Sequence, residues 1–495
     1  MLFVQRSGGR EWTPGIFLLP AARFYAKIWV IRPANGLRNE WRRAMSGNTM
    51  IRDMTKGPVA SELFRFAMPL FVSNALQAIY NLVDIVVVGN YIGKAGMSAV
   101  SIGGDILHLL TFVAMGFSSA GQVIIARAVG GGRLGEVRKT IGTLFTFLLG
   151  VSVFIAVGCF AIRHRVLHWL NTPEAAWSYT MDYMVTCVCG LPFIYGYNVV
   201  SAILRGMGDS KRPFVFIAVA AVLNTVLDIL FVKTFGLEVF GAALATVIGQ
   251  GVSFIASIIY LYRHRESFGF DFKPASFRID AKAFRRLLAL GIPMAIQSAA
   301  ISFSKILLMS WINLFDVTYS ALAGIYNKIN TIVSVISMSF TTAGSTMVGQ
   351  NLGARKYDRV NQTLATVLAV GMGIAVALHL VMRFFPDAVY GIFTPDQELL
   401  AVASVLTLPT ILSFYGAATR SGAFSLINGS GMSGLNLAVA IIDGVFTRIG
   451  LAALLGFGMR LDCFGFWMGD ALAGFMPFVI GSVFYLSGKW KTARD

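Results

Sequence analysis

Charge is scarce in this sequence. Only 13% of its 495 residues are Asp, Glu, Lys or Arg, about half the ~25% of an ordinary soluble domain. A soluble enzyme of this length would have too little charge to cover its surface. Cysteine is scarcer still. Cys159, Cys187, Cys189 and Cys463 form no CxxC pair and join no His/Cys cluster, so no disulfide framework, zinc site or redox role is expected. The five histidines are scattered, and His164 and His168 have i, i+4 spacing without a third ligand, which is weak ground for a metal. An intramembrane enzyme would gather His, Asp or Glu near one membrane surface, and a channel would show a repeated filter or a charged ring. The sequence has neither pattern, so no catalytic role and no cofactor are expected.

What fills the chain instead is apolar. Hydrophobic residues make up 56% and the mean hydropathy is +0.70, which also excludes disorder. Twelve apolar segments follow one another: 62–89, 99–126, 140–162, 177–204, 214–235, 241–262, 288–313, 320–349, 363–384, 399–428, 435–457 and 463–486. Each can cross ~30 Å of hydrocarbon as a helix, at about 1.5 Å per residue. Lipid cannot satisfy an open backbone, and the ~10-residue alternation of a membrane barrel is missing, so the expected fold is an all-α integral membrane protein. The lipid bilayer is its first partner.

The basic residues set the orientation. The connections 127–139, 205–213, 263–287, 350–362 and 429–434, with the tail from 487, hold twenty Lys and Arg, against six in the opposite loops. That bias places the rich side and both termini in the cytoplasm of a cell whose plasma membrane the chain crosses. It also accounts for most of the net charge of +17, so nucleic acid is not an expected partner. The first 60 residues read as a basic leader, too short and too charged to span; residues 1–49 are expected to be dispensable, with a start at Met50 or Met54 as an alternative.

The second half restates the first. Ala67-Met68-Pro69 is answered by Gly291-Ile292-Pro293 at an offset of 224, and Gly116-Phe117-Ser118-Ser119-Ala120-Gly121 by Ser339-Phe340-Thr341-Thr342-Ala343-Gly344 at 223. Gly206-x-Gly208 is matched by Gly429-x-Gly431. Six spans per copy is an even number, so the copies run parallel: two pseudo-symmetric six-helix bundles, the arrangement in which a central site can face alternate sides. The organisation expected is the leader 1–60, a first lobe 61–262, an inter-lobe linker 263–287, a second lobe 288–486 and a cytoplasmic tail 487–495, in a monomer.

Leu63-Phe64-Arg65-Phe66-Ala67-Met68-Pro69-Leu70 running into Tyr80-Asn81-Leu82-Val83-Asp84 resembles the first helix of the multidrug and toxic compound extrusion (MATE) transporters. Leu204-Arg205-Gly206-Met207-Gly208-Asp209-Ser210-Lys211-Arg212-Pro213 and Val348-Gly349-Gln350-Asn351-Leu352-Gly353-Ala354 are similar to the segments after the fourth and eighth helices. The likeness covers about residues 54–490. It implies a V-shaped pair of bundles that exports small amphipathic, often cationic, compounds against a Na+ or H+ gradient. A flippase of lipid-linked metabolites, from the wider superfamily, is the alternative.

Ionisable groups inside spans cost about 2.5–3.5 kcal/mol at a helix centre and need a reason. Asp84 falls in the outer part of the first span and Asp228 in the fifth, with Asn224 one turn before it on the same face. A carboxylate beside an amide oxygen is a hard-oxygen corner, suited to Na+ by coordination or to H+ by protonation. The resemblance implies a cation site formed by Asp84, Asn224, Asp228 and Thr246, with Tyr80 and Asn81 in support. Their counterparts in the second half fall near Leu307, Thr447 and Leu451, so the carboxylate set belongs to one lobe. The second lobe has Lys305, Lys328, Arg420, Asp443, Arg448 and Asp470 instead. Pairing of Lys305 or Arg448 with Asp443 or Asp470 across helices is the plain expectation; the alternative is that Lys305 lines the cleft and disfavours cationic cargo. Asp105 and His108 are expected to open the second helix, the aspartate as a cap.

Overall fold

The computed structural model describes residues 51–394 and 396–491; residues 1–50, and with them the proposed dispensable leader, lie outside the described residues. Helices long and apolar enough to cross a membrane follow in order: α1 Val59–Tyr91, α2 Lys94–Gly130, α3 Leu134–Ala161, α4 Glu174–Cys189 with Leu191–Gly206, α5 Lys211–Thr234 and α6 Glu238–Arg263. The second half repeats them as α7 Ala281–Ile312, α8 Val317–Gly353, α9 Tyr357–Phe384, α10 Gln397–Ser430, α11 Ser433–Gly458 and α12 Asp462–Leu486. The chain is a twelve-span, all-helical membrane protein of two six-helix halves.

Local chemistry moves several boundaries. The fourth span is not one straight helix: it bends by 47° between Cys189 and Leu191, where Pro192, near the start of the second segment, has no N–H to carry the ladder across Gly190. Helix α2 begins at Lys94, so Asp105 and His108 lie three turns inside it and cap nothing. Helix α7 begins at Ala281 rather than 288, because Asp280 caps it by accepting from the Ala283 amide at 3.0 Å. Helix α1 starts without a side-chain cap. The linker is shortened accordingly and folds back on α3. Thr146 donates to the Phe277 carbonyl at 2.5 Å, and the Phe270 and Phe145 rings both meet Phe277 edge-on.

The halves share a backbone signature. Gly208 and Gly431 both take positive φ at an offset of 223 residues, whereas Gly236 and Arg460, and Glu238 and Asp462, do so at 224. The added residue is explained within α11, where Ile442–Thr447 forms a π-helical turn while the matching stretch of α5 is α-helical. A π-turn inserts a residue without ending a helix.

The two halves meet at the end that carries the basic loops. A Cβ on Gly130 of α2 would lie 1.9 Å from the Gln350 carbonyl of α8, and one on Gly353 2.1 Å from the Arg127 carbonyl, so only glycine permits this approach. A polar seam ties the same level: Gln122 donates to the Thr346 hydroxyl at 2.6 Å, Arg205 to Gln122 at 2.8 Å, and Arg127 to the Ser430 carbonyl at 2.6 Å. Residues 51–58, the last part of the expected leader, are packed here, with Met54 fully buried. Arg52 N–H donates to the Met207 carbonyl at 2.8 Å and Met54 N–H to the Gln350 side chain at 2.9 Å, so this segment touches both halves. Contacts between α1 and α8 continue to Asn74 and Ser339, 3.1 Å apart. Beyond them Asn81, Asn327 and Lys328 are exposed. Lipid would penalise such groups, so they mark a cleft that opens toward the end opposite the basic loops.

Candidate functional site

The buried carboxylates converge in the first half. Asp84 comes from α1, Asn224 and Asp228 from α5 and Thr246 from α6, and all four are buried, Asp228 completely. Helix α6 reaches α5 closely at Gly249, whose Cβ position is 3.4 Å from Asn224 Cβ, and this places Thr246 against Asn224. The Asn224 amide donates to the Thr246 hydroxyl at 3.3 Å. That hydroxyl stands 3.3 Å from Asp84 Oδ2 and 3.1 Å from the Ala242 carbonyl and donates to one of them. Asp84 and Asp228 face each other across the packing of α1 on α5 and interact electrostatically. A π-turn, Ile229–Thr234, follows Asp228 directly.

The site is rich in acceptors and poor in donors. Asp84 Oδ1, both carboxylate oxygens of Asp228 and Asn224 Oδ1 are buried with no hydrogen-bond partner among the described residues. Orphaned buried oxygens carry the full cost of desolvation. A proton shared by two facing carboxyls, or a small hard cation among carboxylate, amide and hydroxyl oxygens, removes that cost. Tyr80, one turn from Asp84, accepts from the Gln250 amide at 3.4 Å. Asn81 is exposed on the cleft side of α1 and stands apart from the four.

The corresponding place in the second half is built from other side chains. Arg448 pairs with Asp470 and lies 3.6 Å from Asp443, which Arg420 meets at 3.1 Å. The Tyr326 hydroxyl donates to Asp470 Oδ2 at 3.1 Å. Arg448 is thus paired with Asp470, as the plain reading of these charges expects, while the pairing of Arg420 with Asp443 lies outside that reading. Lys305, half-buried, forms no hydrogen bond or ion pair among the described residues, with Asp470 as its main electrostatic partner. It lines a small recess together with Tyr326, Asn327, Trp467 and Asp470. Lys328 is exposed on α8.

Counted from Pro69 and Pro293, 224 apart, the counterpart of Asp84 is Leu308, and with the π-turn of α11 counted those of Asn224 and Asp228 are Arg448 and Ala452, each one residue beyond the positions expected from the sequence. Thr246 is matched by Asp470 and Asn81 by Lys305. Sequence reasoning therefore missed that Arg448 stands where Asn224 stands. It also missed the seam of Gln122, Arg205, Thr346 and Gln350; polar side chains inside apolar spans were the available signal.

Twelve spans, an internal duplication and a buried polar site in each half define a secondary-transporter architecture. A family model described as MatE matches residues 69–230 and again 293–454, and the chain belongs to that family, multidrug and toxic compound extrusion transporters rather than enzymes. The probable multidrug resistance protein YoeA of Bacillus subtilis is 28% identical over 424 residues, covering 84% of this chain and 91% of that protein. YpnP of the same organism, likewise named a probable multidrug resistance protein, is 31% identical over 310 residues, covering 62% and 68%. Among solved structures, one described as MATE in the bent conformation superposes with a TM-score of 0.80 at 21% identity, over 89% of this chain and 98% of that one.

Proposed function

We propose that the chain is an ion-coupled exporter in which Asp84, Asn224, Asp228 and Thr246 bind the driving cation, Na+ or H+. The observation that carries this reading is the set of orphaned acceptor oxygens shared by Asp84, Asp228 and Asn224. They have the donor chemistry for either ion: carboxylates that take a proton, or carboxylate, amide and hydroxyl oxygens that suit Na+. The names of the relatives favour small amphipathic organic compounds as cargo. The twenty basic residues at one end favour a cytoplasmic placement of that end and of both termini in the plasma membrane. Both parts of the cation site belong to one half, so a monomer is sufficient.

The cycle follows from where the halves touch. Closed at the basic end and open opposite, the protein takes the cation from outside and releases cargo there; rocking of the halves then opens the cytoplasmic side, where the cation leaves and cargo reloads. One charge moving down 100 mV supplies ~2.3 kcal/mol, enough for roughly 50-fold accumulation. The test is efflux of ethidium in energised inverted vesicles. Asp84→Asn and Asp228→Asn should each abolish it with membrane expression unchanged, and full activity in both would sink the coupling site. Collapse by a protonophore in sodium-free buffer assigns H+; a requirement for sodium assigns Na+.

A further inference from the structure

The recess of the second half has a different chemistry from the cation site, with donors and positive charge in excess. In the first half, buried acceptors lack donors. In the second, two donors, the Trp467 indole N–H and Arg448 Nε, are buried without hydrogen-bond partners among the described residues, beside one such acceptor, Asp443 Oδ2, and Trp467 is only 2% exposed. Lys305 adds a cation that forms no ion pair of its own among the described residues and shares Asp470 with Arg448. Around it are Arg420 and Arg448 against Asp443 and Asp470, so this interior holds three positive groups and two negative ones. The two carboxylates are already engaged. Asp470 faces Arg448 with one oxygen and the Tyr326 hydroxyl with the other, and Asp443 lies between Arg420 and Arg448. Asp470 is also the main balancing charge for Lys305, so it is shared between Arg448 and Lys305 and one positive charge remains in excess.

An ammonium at this depth that only shares a carboxylate is costly unless something further pairs with it. The recess beside it is open, is lined by Trp467, Tyr326 and the apolar Leu308 and Met309, and reaches the exposed Asn327. An aromatic and aliphatic wall with a cation and an indole N–H suits an apolar body carrying one oxyanion. Its position is that of the cation site turned through the internal symmetry, with Lys305 for Asn81, Arg448 for Asn224 and Asp470 for Thr246.

We infer that the second half contains an organic-anion subsite, in which Lys305 and Trp467 bind the carboxylate of an amphipathic cargo molecule while the first half holds the driving cation. This deepens the efflux reading by naming a cargo class, and rests on it for transport, though not for binding. The probes are dansylglycine and its neutral amide, which share a fluorophore and differ in one charge. Binding to the purified full-length protein in nanodiscs is read from dansyl emission excited through tryptophan, at equilibrium and without an ion gradient, so failure of cation coupling leaves the readout untouched. The acid should bind about tenfold more tightly than the amide, the scale of one charge-assisted hydrogen bond. Lys305→Met should erase that preference and Lys305→Arg retain it. Equal binding of acid and amide to the wild type, including no binding of either, overturns the inference without need of a variant. So does an undiminished preference in Lys305→Met.

Discussion

At the junction of α1, α5 and α6, burial leaves oxygens without donors. At the matching junction of α7, α11 and α12, arginines, aspartates and a lysine fill the same volume. The backbones of these two places agree down to the positive φ of Glu238 and Asp462, yet their chemistry is opposite. Duplication has conserved what packing requires, the helix lengths, close glycines and turn conformations, and released the buried polar positions to diverge. Ions that pair with one another, as Arg420, Asp443, Arg448 and Asp470 do, stabilise the lobe that holds them; the oxygens left without donors around Asp84 and Asp228 hold their site ready for an ion.

This difference is most directly broken by removing carboxylates. Asp443→Ala leaves Arg420 and Arg448 facing each other across a buried space with one fewer anion, and breaking such a pair costs about 3–5 kcal/mol. Asp228→Asn removes a charge that no protein donor balances, and its melting midpoint should equal or exceed that of the wild type. Thermal unfolding in detergent, followed by the loss of the monodisperse peak, compares them. If the two variants melt alike, the claim that Asp443 serves stability through its arginines while Asp228 serves ion binding fails.

A smaller effect concerns the seam. Gly130→Ala places a methyl against the Gln350 carbonyl, closer than any real contact, and backbone cannot yield as a side chain can. The expected result is a several-fold loss of efflux, with a spin-label distance between the α2–α3 and α8–α9 loops that lengthens by ångströms, because the halves can no longer close at the basic end. Wild-type distance and activity would show that this contact is incidental to the cycle.

How much of this was legible beforehand differs by the kind of signal. Spans, duplication and the pair Asp84 and Asp228 could be read because each leaves a mark in composition or spacing: hydropathy runs, repeated glycines, a charge where charge is expensive. The break at Gly190 was marked only by a Gly-Leu-Pro, which apolar flanks disguised as one span. The π-turn of α11 leaves no compositional mark at all, since it adds one residue to a helix whose polarity is unchanged, and that single residue hid the match of Arg448 with Asn224. The pairing of Arg420 with Asp443 joins residues from α10 and α11 through tertiary contact, which spacing along the chain does not encode.

The least costly difference between the halves lies outside the membrane. Helix α1 starts without a side-chain cap, whereas α7 is capped by Asp280, which also meets Lys139 at 3.0 Å. The Ala283 amide, and then Lys139, hold the Asp280 carboxyl below its ordinary value of 3.8. A carboxyl with a lowered folded-state value stabilises above its unfolded value and loses that contribution as pH falls through the folded one. The capping contribution is therefore complete at neutral pH and disappears only in acid below about 3.8. Asp280→Ala should cost about 1 kcal/mol at pH 7, and Asp280→Asn less, since the amide oxygen can still accept from Ala283 although it gives up Lys139. Melting curves at pH 7 and in acid would separate the two, and they should converge with the wild type as the carboxyl protonates. A full-sized Asp280→Ala effect that persisted in acid would mean that the side chain acts through packing of the linker on α3 rather than as the cap that α1 lacks.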